Sequence, residues 1–348
     1  MALDGNGRFP NRRATITVAL RAAKNLIAMI SIIIPAHNAQ TTITACVSAL
    51  MHQDNVPSPY EVIVIDDGST DATAQLASEA GAKVIRQEKR GPASARNTGI
   101  RAASGEITCF TDADCAPRPD WIHQITAPLL AEAEIAGVKG AYTTSQKEVT
   151  ARFVQIEYED KYDRLRQYPR ITFMDFYSAA YRRAILLEHH GFDERFSLAN
   201  SEDRELSYRL AALGYQMIFQ PQAIVSHHHA NSVTSYFRKK VLNGFWTAQA
   251  VRHFPQRSIE DTYTPQVQKV QIGLMGLLTI SLAIALFLPV FLPIVGLLTA
   301  VFLLTTVPFA QKAWPKDKTV AIVSPFVLAL RGFALGLGYV WGLARPVN

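Results

Sequence analysis

Tyr60–Asp71 reads YEVIVIDDGSTD: an apolar run of strand length through Val62, Ile63, Val64 and Ile65 that stops at two aspartates and a glycine-bearing turn. Two other segments share this layout. Ile30–Pro35 (ISIIIP) is a continuous apolar run ended by proline, and Ile107–Thr111 (ITCFT) runs into Asp112-Ala113-Asp114. Continuous rather than alternating Val/Ile runs mark strands covered on both faces, the setting of parallel sheet. Helical segments lie between them over Thr41–His52, Thr70–Glu79 and Pro92–Ala103, with a short strand at Lys83–Arg86. Such β-α-β alternation with right-handed crossovers predicts an α/β fold, a mostly parallel, doubly wound, Rossmann-like sheet. Farther on, helical patterning returns at Arg182–His190 and Ser201–Leu213, and Tyr215–Phe219 is the last predicted strand.

The 348 residues are 49% hydrophobic and 18% charged, which excludes a disordered chain. Three cysteines (Cys46, Cys109, Cys115) are too few and too unpatterned for a disulfide framework or a zinc finger, and point to a reducing compartment. A net charge of +6 suits nucleic acid or anionic lipid equally well. The C-terminal third chooses lipid. Gln271–Ala310 contains no charge, and about 20 apolar residues suffice for one crossing, so two spans are expected at about 271–288 and 293–310, turned around Pro289 and Pro293. The stretch before them, Ser232–Gln256, mixes Arg238, Lys239, Lys240 and Arg252 with Phe245 and Trp246, and reads as an interfacial helix rather than a nucleic-acid surface. Lys312, Lys316 and Lys318 in the connector Gln311–Thr319 put it on the cytoplasmic side, and two crossings put the N-terminal domain there too. The segment 319–343 is expected as a third span or a re-entrant helix, with Arg331 at its centre, where an unpaired charge costs several kcal/mol. Ala14–Ala28 is basic and amphipathic, a surface helix or membrane-surface anchor rather than a signal peptide. The expected plan is therefore an N-terminal extension over 1–28, a catalytic domain over 29–230, interfacial helices over 231–268 and a membrane region over 269–348.

In an open α/β sheet, ligands bind outside the carboxyl ends of the strands. Here those ends carry Asp66-Asp67 and Asp112-Ala113-Asp114. The first set also suits a turn and helix cap. The second crowds like charges at the end of an apolar strand, which calls for a proton or a cation. Oxygen donors favour Mg²⁺ or Mn²⁺ shared with a diphosphate. Between them, Arg96 falls in the first turns of a helix opened by Pro92 and is suited to a phosphate or a base edge. On the helix after Ser201, Asp203 shares a face with Leu206, Leu210 and Leu213, which makes it a candidate general base; Glu202 and Glu205 fit the helix N-terminus.

PAHN (Pro35–Asn38), DDGSTD (Asp66–Asp71), RNTG (Arg96–Gly99), DAD (Asp112–Asp114), GFDE (Gly191–Glu194) and SED (Ser201–Asp203) occur in that order. Together they resemble the motif series of the family 2 glycosyltransferases of GT-A fold, over roughly residues 29–230. His37 and Ala39 stand where that family often has a tyrosine and a glutamate. The resemblance implies donor contacts from Pro35, Ala36, Asn38, Asp66, Asp67, Arg96, Asp112 and Ala113. It implies a metal site of Asp112, Asp114 and the histidine after the last strand, His227, with Asp203 as base. Glu202, Trp121 and Trp246 are counted as acceptor-side or secondary contacts. The activity implied is inverting, Mg²⁺- or Mn²⁺-dependent transfer from a nucleotide diphosphate sugar, a UDP-sugar first, to a polyprenyl-linked glycan at the inner membrane. The alternatives are transfer to polyprenyl phosphate itself, or a non-catalytic scaffold that binds nucleotide sugars. A sugar nucleotidyltransferase would need a glycine-rich loop after the first strand, and PAHNAQ is not one; a processive synthase would need a QxxRW motif, which the chain lacks.

Overall fold

A computed structural model of the chain describes residues 29–195, 202–253, 262 and 264–345. The basic segment Ala14–Ala28 and Ser201 lie outside the described residues. The apolar runs become strands β1 (Ile30–Ala36), β2 (Tyr60–Asp67), β3 (Lys83–Gln87) and β4 (Ile107–Phe110), joined by helices α1 (Ile43–Met51), α2 (Thr73–Glu79) and α3 (Pro92–Ala102). Then follow β5 (Cys115–Pro117), α4 (Trp121–Ala131), β6 (Ile135–Thr143), α5 (Val149–Leu165), β7 (Ala179–Arg182), α6 (Arg183–Glu188), α7 (Glu202–Ala212) and β8 (Gln216–His227). One mixed sheet results, in the order β3-β2-β1-β4-β7-β6-β8-β5. Strands β3, β2, β1 and β4 run parallel, as expected, and β6 runs parallel to β8. Strand β7 is antiparallel to both neighbours, and β5 is antiparallel to β8.

Two pairings place the chemistry. The β1–β2 register sets Ala36 beside Asp66, so PAHN meets DDGSTD. The β5–β8 register sets Cys115 beside His227, which brings a histidine more than a hundred residues away to the DAD turn.

The stretch between β5 and α6 carried few sequence signals because β6 breaks its apolar run with Gly137, Lys139 and Gly140. Lys139 is nevertheless wholly buried, its Nζ donating to Asp175 Oδ2 at 2.7 Å and Tyr177 Oη at 2.8 Å. Strand β8 runs to His227, well beyond the expected end at Phe219, although Pro221 interrupts its pattern.

The C-terminal region comprises α8 (Val233–His253), α9 (Gln266–Ala285), α10 (Leu292–Ala313) and α11 (Lys318–Ala344), with a 3₁₀ turn at Pro289–Phe291. Three of these, α9, the turn with α10, and α11, are long and apolar enough to cross a membrane. The first two carry almost bare apolar surface, while half of the most apolar window of α11 is buried against protein. Helices α8 and α11 touch backbone to backbone: a Cβ at Gly338 would stand 1.9 Å from Val241 O, and one at Gly244 2.2 Å from Leu335 O. Gly338 and Gly342 form the small-xxx-small spacing that permits such contact. The aromatic side of α8 faces inward, since Phe245 and Trp246 are buried and Phe245 packs on Trp341. Arg331 does not face lipid. Its guanidinium donates to Glu157 Oε1 at 3.3 Å and to Gln271 Oε1 at 2.6 Å, and Lys240 Nζ reaches both Glu157 oxygens at 2.9 Å. Its charge is thus matched by an acid from α5. The connector is docked on the same helix through Lys312–Asp160 at 2.8 Å and Lys316–Glu159.

Candidate active site

At the end of β2 the loop is tied down from three sides. Asn38 adopts φ 50°, and its Oδ1 accepts from Thr70 N at 2.9 Å while its own N–H donates to Ser69 Oγ at 2.9 Å. Asp66 is fully enclosed, accepting from Ser69 N at 3.1 Å and Arg86 Nε at 2.9 Å. Asp67 accepts from Gln87 Nε2, Arg90 N and Gly91 N within 2.8 Å. Gly91 at φ 92° can turn the chain into α3 so that its N–H points at that carboxylate. Both Asp66 oxygens thus already accept from the chain itself, one from the turn and one from Arg86 on β3. Pro35 and Ala36 close the adjoining wall, with Ala36 buried.

The end of β4 is different. Asp112 and Asp114 line a cavity of about 560 Å³, together with Arg96, Glu202, Asp203 and His227. Arg96 is buried and links two of these acids: Nη1 donates to Glu202 Oε1 at 2.7 Å and Nη2 to Asp112 Oδ1 at 3.0 Å. It stands between two carboxylates with both terminal nitrogens engaged and joins the DAD turn to α7 on the cavity wall. Asn97, next in the RNTG segment, binds the GFDE turn through Phe192 and Glu194.

Burial raises the Asp112 pKa above the usual carboxylate range, with the like charge of Asp114 adding to it and Arg96 opposing. Burial also works against the Asp114 carboxylate, but His227 outweighs it and holds that group low. His227 Nδ1 lies 3.5 Å from Asp114 Oδ1, and Cys115 Sγ 3.8 Å from His227 Nδ1. Of the three consecutive histidines, His227 and His229 point inward and His228 is exposed, the alternation of a strand end. His227 is fixed by stacking on Tyr142, with ring centroids 4.6 Å apart. His229 is held neutral, its pKa pushed down to about 3 by burial and by His227 and Lys239 nearby. Asp112, Asp114 and His227 offer oxygen and imidazole donors facing one cavity. That set fits Mn²⁺ or Mg²⁺. Cys115, which no sequence pattern singled out, completes a group of three donors with Asp114 and His227 whose atoms lie within 4.8 Å of one another.

Asp203 lies on the cavity wall in the first turn of α7. Burial raises its pKa well above the ordinary value, with the neighbouring charges of Glu202 and Asp175 adding to it. Arg204 beside it donates to Thr247 Oγ1 at 2.9 Å, tying α7 to α8. Two expected contacts do not reach the cavity. Trp121 is wholly buried in the core, its Nε1 donating to Ser178 Oγ at 2.8 Å. Trp246 is buried edge-on against Phe245 and is not part of the cavity wall. The residues that extend the cavity away from the strand ends come from α8, α9 and α11, among them Lys239, Asn243, Gln268, Lys269 and Tyr339.

An α/β sheet with paired aspartates and a candidate base at its strand ends is the layout of the GT-A glycosyltransferase domain. Residues 31–189 match the sequence profile described as Glycosyl transferase family 2, so the chain carries a family 2 glycosyltransferase domain. Over 101 residues it is 38% identical to the glycosyltransferase AglE of Haloferax volcanii, covering 27% of this chain and 33% of AglE. Over 236 residues it is 25% identical to the pre-mycofactocin glycosyltransferase of Mycobacterium tuberculosis, covering 64% of this chain and 48% of that one. The chain thus spans half or less of the length of these curated relatives. A mannosyltransferase of Pyrobaculum calidifontis, PcManGT, solved with GDP-Man and Mn²⁺, shares the fold with a TM-score of 0.56 at 19% identity, over 94% of this chain and 98% of that one.

Proposed function

We propose that the protein is an inverting, metal-dependent glycosyltransferase that moves a sugar from a nucleotide diphosphate sugar, a UDP-sugar first, to a lipid-linked glycan at the membrane surface. One observation carries this reading: Asp112, Asp114, His227 and Asp203 line a single cavity that continues between α8, α9 and α11. Asp203 takes the proton of the acceptor hydroxyl as that oxygen bonds to the anomeric carbon; the bond from that carbon to the diphosphate breaks, and the electron pair leaves with the diphosphate. The raised pKa makes Asp203 a stronger base once ionised. Asp112, Asp114 and His227 would hold the divalent ion, which supplies neutralising charge for the leaving group. Arg96 keeps the aspartate turn and the base at a fixed separation. Asp66 and Asp67 hold the loop that faces the nucleotide. Three apolar helices and the connector docked on α5 support a catalytic domain held at the cytoplasmic face of the inner membrane. Lys239 and Lys269 on the cavity wall also suit an anionic acceptor, and so favour polyprenyl phosphate as the second reading.

The test is transfer from labelled nucleotide sugars into a membrane lipid extract, with and without EDTA. The expected result is label in the lipid fraction that disappears with chelator. Transfer indifferent to chelator would remove the metal, and failure to bind any nucleotide sugar would remove the reading. An acid-labile sugar phosphate as product would favour the second reading over a glycosidic bond.

A further inference from the structure

Helix α8 presents a row of residues to the cavity at four-residue spacing: Lys239, Asn243, Thr247 and Val251. At about 1.5 Å per residue this row is about 18 Å long. Its positions are tied to the two halves of the site. Lys239 acts electrostatically on Asp114, and Thr247 accepts from Arg204, next to Asp203. Asn243 sits between them on the helix, one turn or about 6 Å along the axis from each.

Among the described residues, Asn243 Oδ1 is shielded from solvent without a hydrogen-bond donor, and so is Gln268 Oε1 on α9, which lines the same cavity. A buried acceptor of this kind is unfavourable unless a ligand brings the missing donor. A phosphate group at neutral pH brings oxygen acceptors; a sugar ring brings hydroxyl donors. Both amides lie on the C-terminal helices, where the cavity extends away from the strand ends and from the loop after β2, so the hydroxyls are those of the acceptor.

The geometry points to Asn243 and Gln268 as a hydroxyl-binding subsite for the acceptor's sugar, so that the acceptor enters already glycosylated and not as bare polyprenyl phosphate. This rests on the transferase reading above and narrows it. Lys239 and Lys269 then face the acceptor's phosphates, and Ile272 and Leu335 the first part of its hydrocarbon chain.

The test uses the full chain in detergent with a nucleotide sugar that it binds, and two acceptor probes: undecaprenyl phosphate and undecaprenyl diphosphate N-acetylglucosamine. The expected result is transfer to the glycosylated probe. Asn243→Ala and Gln268→Ala should each raise its KM about tenfold, the loss of roughly one hydrogen bond. Calorimetric affinity for the nucleotide sugar and the thermal unfolding midpoint should stay near those of the unmodified chain, which separates a lost acceptor contact from misfolding. Transfer to undecaprenyl phosphate alone, or an unchanged KM in both variants, overturns the subsite while leaving the transferase reading intact. If the wild-type chain binds no nucleotide sugar, both fall together.

Discussion

At the end of β2, Asp66 and Asp67 accept five hydrogen bonds from Ser69 N, Arg86, Gln87, Arg90 N and Gly91 N. At the end of β4, Asp112 is met by one guanidinium nitrogen of Arg96, and Asp114 faces the cavity beside His227. The two pairs sit at equivalent strand ends and are made of the same residue. They differ in who supplies the donors. Where the chain's own backbone surrounds a carboxylate, the acid organises a loop and has little left to offer a ligand. Where donors are scarce and acids crowd, the charge has to be met from outside, by a cation, a substrate or a proton. Reactivity at these ends follows from what the chain leaves unmet.

This contrast can be broken in several ways. The largest effect is expected for Asp203→Asn: turnover falls about 10²–10⁴-fold, the usual contribution of a general base, while the nucleotide-sugar Kd measured by calorimetry stays put. Weakened donor binding with normal turnover would take the role away from Asp203. Next, Asp114→Asn should weaken Mn²⁺ binding, read by electron paramagnetic resonance, at least tenfold, and Asp67→Asn should leave it unchanged. Equal losses would erase the distinction between the pairs. Asp67→Ala should instead cost about 1–3 kcal/mol of stability, seen in thermal unfolding, because the Arg90 and Gly91 N–H groups lose their acceptor. The smallest effect concerns pH. Asp203 must be ionised to act, and burial with Glu202 and Asp175 raises its pKa, so the acidic limb of kcat should lie above the ordinary carboxylate range of about 4. Asp175→Asn removes one like charge, stabilises the ionised form and should move that limb to lower pH. A shift upward, or none, would remove Asp175 from the electrostatics of the base.

The parallel half of the sheet was legible because β1 and β2 are nearly pure Val/Ile runs and β4 is a short apolar one, and the acids that close β2 and follow β4 are visible as motifs. Strand β6 was not, because a lysine inside a strand reads as solvent-facing until Asp175 and Tyr177 are seen around it. His227 could be guessed from its place after the last strand, but its partner Cys115 emerges only from the antiparallel β5–β8 register. Arg331 looked costly for the same reason that Lys139 was overlooked: a buried charge is judged by its partner, and Glu157 lies 174 residues away in sequence. Trp121 and Trp246 show the reverse error. Both count as acceptor-side or secondary contacts in the sequence, but they fill the interior. Hydropathy likewise could not tell the bare α9–α10 hairpin from α11, whose Gly338 and Gly342 lie against α8 and whose Gly332 lies against α9.

Gly244, Gly338 and Gly342 clamp α8 to α11 with no room for an intervening methyl group. A joint that tight cannot act as a hinge, so the catalytic head would ride at one fixed height above the lipid. With the lipid-linked acceptor proposed above, such an enzyme would work as a ruler, serving hydroxyls at one reach from the anchor of their carrier.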